Sequence, residues 1–270
     1  MRELYVELGY EGQLAAWLTV SFSLYILASQ LAWQFQWGLA GGHSDLDQPK
    51  RQEGMGRWID HVRDQPFAPW MRGSIRFIYY LGIPFLAATS GAIGADLAGI
   101  RGTDWVQGKS IQGFLREDWA RGLGLAAAAL LAMWGVWLIS RSLSRHARLT
   151  PLPLRLPGPT WQRLLDALYD QIHWAFYRSG PILWLNDPYW GVFAGLALVL
   201  LEAALNPAHW WAFKDPKTAA PALTQLGIAW ISALLFLETH NLWLTIAVHL
   251  VLVGPLGWKR PQPAQESAGA

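Results

Sequence analysis

Cysteine is absent from all 270 residues, which excludes disulfides, thiolate metal ligands, catalytic thiols and cysteine-linked lipids, and leaves the redox compartment open. Charge is scarce too: 15% of residues carry one, with a net charge of +2 and a pI near 8.9. The basic residues lie between apolar runs rather than in one patch, so no nucleic-acid or other polyanionic partner is expected. Nor does the start read as a signal peptide, because Glu3, Glu7 and Glu11 stand where a basic region would be, and the first apolar run is expected to be retained. What the chain has in quantity is apolar surface, with 53% hydrophobic residues, 18 Trp and a mean hydropathy of +0.18. That composition belongs to the membrane class, with the lipid bilayer as the first partner.

Runs long enough to cross a bilayer need roughly 20 helical residues. They occur near 12–35, 75–99, 119–140, 189–206, 220–238 and 241–257, and a less apolar seventh covers 161–186. The expected fold is therefore all-α, a multi-pass transmembrane helical bundle of about seven spans. The Pro-rich stretch TPLPLRLPGPT at 150–160 cannot be continuous helix. It divides an N-terminal membrane part, 1–150, from a C-terminal part, 151–258, leaving a polar tail, 259–270, too poor in apolar residues to pack. The loop near 38–72 holds Trp58, Ile59 and Val62 on one face opposite Arg57, Asp60 and Arg63, as an interfacial helix would. Alternate loops hold most of the Lys and Arg, which predicts an outside N-terminus and a cytoplasmic C-terminus.

Polar residues at membrane depth carry the functional signal, since a lipid-facing charge there costs about 2.5–3.5 kcal/mol. The run 161–186 contains Asp166, Asp170, His173 and Arg178, so it must face protein or a cavity. Asp170 and His173 fall on one helix face with Tyr169 and Tyr177. A carboxylate beside an imidazole serves general-base catalysis, metal second shells, or a structural hydrogen bond that joins helices. Glu202 and His209 would share a face but for Pro207 between them. Glu202 lies deep in an apolar run, and His249 sits midway along the last one. Counting the rise per residue from the expected inner ends places His173 and His249 at similar depth and His209 nearer the inner surface. By contrast Glu238 and His240, in LETHN, read as solvated turn residues.

The order of these pieces over about 165–255 resembles the CPBP family of intramembrane proteases, the CAAX-protease and bacteriocin-processing group also called ABI. Its motifs are Glu-Glu-x-x-x-Arg, then Phe-x-x-x-His, then His-x-x-x-Asn after a short turn and a Leu-Trp pair. In HWAFYRSGPIL, Arg178 matches the motif arginine, while His173 and Trp174 stand where the glutamates belong. LNPAH keeps His209 with Leu205 in place of Phe, and NLWLTIAVHLVLV keeps Leu242, Trp243 and His249, with Val253 in place of Asn. The resemblance implies an intramembrane endopeptidase fold in which a glutamate activates water, two histidines assist and the asparagine helps hold the oxyanion. With the glutamates and the asparagine replaced, the expectation is a protein without family-type proteolysis, a scaffold or binding protein with a polar intramembrane cavity. Its partner would be another membrane protein or a membrane-embedded peptide. The alternative is an intramembrane metal-dependent hydrolase or protease in which His173, His209 and His249 converge on a divalent ion such as zinc, with Asp170 and Glu202 in support. A haem or chlorophyll-type pigment on the histidines is a third class, with no further signal for it.

Overall fold

A computed structural model describes residues 9–39, 65, 67–100, 118–146, 159–214 and 216–253. The expected interfacial helix around Trp58, most of the Pro-rich connector and the polar tail lie outside the described residues. Those described are helical almost throughout, and no strand occurs among them. In chain order the elements are α1 (Gly9–Leu39), α2 (Ala68–Phe77), a π-helical turn (Ile78–Gly82) that runs on into α3 (Ile83–Thr89), and α4 (Ala95–Ala98). They continue with α5 (Asp118–His146), α6 (Thr160–Leu185), α7 (Pro188–Leu205), α8 (Pro207–Ala212), α9 (Pro216–Thr239) and α10 (Leu242–Val253).

The ends of these helices follow from local chemistry. Asn186, in the left-handed region at φ 46°, stops α6. Asp187 then caps α7 by accepting from the Tyr189 and Trp190 amides, with Pro188 in the first turn, where it lacks no needed donor. Asn206 repeats the device for α8 through the Ala208 amide, and Asn241 caps α10 through the Trp243 and Leu244 amides. The apolar run 75–99 does not form one helix. Helix ends at Thr89, where Gly91 at φ 82° lets Ala92 and Gly91 donate back to the Ala87 and Ala88 carbonyls, a Schellman closure.

α6 lies at the centre. α7 packs along it most closely, and α10, α1, α3 and α4 also touch it. The approach of α6 and α7 depends on Gly191 and Gly195, four residues apart on one α7 face. A Cβ at Gly191 would fall 2.5 Å from the Ile182 Cα, and one at Gly195 would fall 2.5 Å from the Arg178 Cα. Small residues at this spacing let two backbones meet in a membrane bundle. Leu14, Leu18, Ile83, Ala87 and Phe176 join α1, α3 and α6 in one core cluster. Ile228, Leu235, Leu244 and Val248 join α9 to α10 in another.

The polarity is inverted relative to a water-soluble bundle. Gln171, His173, Arg178, Glu202 and His249 are buried, whereas Trp70, Phe85, Leu131, Val136 and Trp190 face outward. An apolar exterior on this scale suits lipid rather than water. Three helical stretches, Gly9–Gln34, Pro188–Leu205 and Pro221–Thr239, are long and apolar enough to cross a membrane, and Arg121–Val136 and Leu242–Val253 are shorter apolar helices. These apolar helices fit a membrane protein. α6 is not among them, as its buried charges require.

Candidate functional site: a carboxylate and imidazole cluster beside a cavity

Glu202, near the C-terminal end of α7, is the hub. Its Oε1 accepts from the Tyr177 hydroxyl and from the Tyr79 hydroxyl, each at 2.6 Å, and its Oε2 lies 3.2 Å from His173 Nε2. Three donors engage both oxygens of a carboxylate that is buried, where an unmet acceptor would be costly. The His173 ring is enclosed by aromatic rings, with centroids at 4.2 Å for Tyr177, 5.1 Å for Tyr79 and 5.2 Å for Tyr80. Among the described residues, its Nδ1 has no hydrogen-bond partner.

Tyr79 and Tyr80 are adjacent in sequence, yet both touch His173. On a regular helix neighbours point about 100° apart. The π-helical turn Ile78–Gly82 widens the backbone here, and Pro84 supplies a reason. A proline ring clashes with the carbonyl four residues earlier, here that of Tyr80, and a wider turn relieves the contact.

Beside this cluster lies a cavity of about 340 Å³ between α1, α6, α7, α8 and α9. His173, Glu202, Asp170 and His209 contribute its polar wall, and Trp174 and Trp210 are among its aromatic side chains. Asp170 accepts from the Gln225 amide of α9, which fixes the carboxylate at the cavity edge. The next turn of α6 places Asp166 against Arg76 at 2.6 Å. Nδ1 of His209 lies 2.9 Å from the Ala203 carbonyl, which can only accept, so Nδ1 carries a proton. Asn206 donates to the Tyr25 hydroxyl at 2.9 Å, and Gln30 donates to the Leu205 carbonyl at 3.1 Å; both contacts pin α1 to the end of α7. The polar wall therefore sets two carboxylates, Asp170 and Glu202, beside two imidazoles, His173 and His209.

Of the residues singled out in the sequence, His173, His209, Asp170 and Glu202 line this one cavity. His249 does not. It sits behind Trp174, whose indole stacks on it at 5.6 Å and 7°, and its Nδ1 is 3.0 Å from Gln171 Nε2, which also donates to Ser232 at 2.7 Å. Arg178 does not line the large cavity either: it lines a smaller one that also touches Trp174, with its guanidinium 3.5 Å from the centre of the Phe236 ring. Among the described residues, no group of three or more His, Cys, Asp or Glu side chains is arranged to hold a metal ion.

The expected face-sharing of Asp170 and His173 is corrected in its partners: Asp170 is bound by Gln225, and the imidazole takes the carboxylate of α7 instead. Tyr79, Tyr80 and Tyr25 were not distinguishable in sequence from apolar packing residues, and they come from the part before residue 150. The only signal for Tyr79 and Tyr80 was a doublet followed by Gly82 and Pro84 in an apolar run. No family model, curated protein or solved structure matches the chain.

Proposed function

We propose that the chain is a multi-pass integral membrane protein of about seven spans that binds a membrane-embedded molecule in its polar cavity, on a bundle of the CPBP type, without family-type peptide hydrolysis. The observation that carries this reading is the cavity of about 340 Å³ walled by Glu202, His173, Asp170 and His209 inside an apolar exterior. Carboxylates and imidazoles set among tryptophans in one cavity wall suit an amphipathic ligand with hydrogen-bond donors, such as the amine or amide N–H groups of a membrane-embedded peptide. Among the described residues, Glu202 is the one carboxylate placed against an imidazole, and its oxygens are already engaged by Tyr79, Tyr177 and His173. A carboxylate held in this way has little capacity left to take a proton from water, and losing a general base costs about 10²–10⁴ in rate.

A photo-crosslinkable transmembrane peptide presented to the protein in lipid nanodiscs tests the reading. The expected result is crosslinking with the peptide recovered intact, and loss of crosslinking on Ala203→Trp, which fills the cavity. Peptide cleavage abolished by His209→Ala would contradict it, as would crosslinking unchanged by Ala203→Trp.

A further inference from the structure

We propose that Arg178 and Ser232 form an intramembrane site for a small monovalent anion of the halide class. Arg178 is 3% exposed, and among the described residues it has neither a carboxylate partner nor a hydrogen-bond acceptor for Nε and Nη2. Arginine keeps its charge in proteins, so it cannot escape this position by releasing a proton, as a lysine or histidine would. The face of Phe236 offsets part of the cost through a cation–π contact, but it leaves the N–H groups in the guanidinium plane unmet.

The second observation is a cavity of about 20 Å³ bounded by Arg178 and Ser232, with Trp174, Val192, Leu196 and Ala233 among its other walls. That is room for about one water-sized particle. Ser232 accepts from Gln171 Nε2 at 2.7 Å, so its own hydroxyl proton is free to point into the cavity. The polar groups with hydrogens to offer are thus a cation and a hydroxyl, and the remaining wall, aliphatic but for the Trp174 indole, offers no side-chain acceptor. A particle there must accept hydrogen bonds, and only an anion also neutralises the charge. Multi-atom anions such as sulfate are too large for this space. Trp174, Val199 and Ala229 wall both this cavity and the large one, so an ion would enter past the Trp174 indole.

The experiment uses full-length protein purified in detergent in sodium gluconate and titrated with sodium chloride or bromide at constant ionic strength. The unfolding midpoint is expected to rise saturably with either halide, by about a few degrees, and to ignore sulfate. Ser232→Ala, which removes one donor and keeps the fold, should raise the half-saturating halide concentration about tenfold. Arg178→Gln should abolish the response, and should that variant fail to fold, Ser232→Ala decides. Crystals grown in bromide should show an anomalous peak beside the guanidinium. Equal midpoints in chloride and gluconate, or a halide effect untouched by Ser232→Ala, would overturn the proposal and assign the cavity to water alone.

Discussion

The cluster on Glu202 predicts a specific energetic pattern. Tyr177→Phe and Tyr79→Phe each remove one hydrogen bond to a buried carboxylate, and should each destabilise by about 1–3 kcal/mol. In a double-mutant cycle, Tyr177→Phe with Glu202→Gln should cost less than the sum of the two, since both act on one bond. Additive losses would show that the hydroxyl and the carboxylate do not interact. His173, Glu202 and His209 stand out in the sequence because charge and imidazole are conspicuous in apolar runs. Their partners do not stand out in this way. Tyr79 looks like a packing residue until another helix brings Glu202 to its hydroxyl, Tyr177 shows in the sequence only as a neighbour of His173 on one face, and the Asp170 partner, Gln225, sits 55 positions away on α9. Spacing placed His173 beside Tyr177 on one helix face, but the hydrogen-bond partners of Asp170 and His173 lie on other helices and could not be read from it.

At the scale of elements, α6 and α7 are held together by their closest backbone approach. Gly195→Leu would drive a side chain into the Arg178 backbone and should cost at least 1–3 kcal/mol, the usual range for overpacking, or prevent folding altogether. Gly124→Ala, on α5 with nothing within 4 Å of the added Cβ, should be neutral or slightly stabilising, because alanine is the better helix former. Thermal unfolding of both variants in detergent checks the contrast, and equal effects would contradict it. Helix positions were largely legible, since apolar runs broken by Asn-Asp-Pro, Asn-Pro and His-Asn-Leu give both length and stop signals. The early end of the helix at Thr89 was legible in principle from Ser90-Gly91. The π-helical turn was not, because it answers a clash created by Pro84 in a helix kept going by tertiary packing.

In the molecule as a whole, a buried polar cluster lies inside an exterior rich in large apolar side chains. The Lys and Arg distribution predicts that reporter fusions after Arg148 and after Arg260 both read cytoplasmic, and an exterior signal at either position would contradict that topology. With a cytoplasmic C-terminus, α7 runs inward, and the cavity beside its C-terminal end belongs to the inner half of the bundle. Since the chain has no cysteine, single cysteines can probe this without a background. The most direct measurement is the reaction of Ala222→Cys, on the cavity wall, with a charged, membrane-impermeant thiol reagent in inside-out membrane vesicles. Leu14→Cys in the core and Leu131→Cys on the exterior serve as controls. The predicted result is labelling of Ala222→Cys from the inner side while both controls stay unlabelled; an unreactive Ala222→Cys, or equal labelling of Leu131→Cys, would contradict a polar cavity inside a lipid-facing bundle.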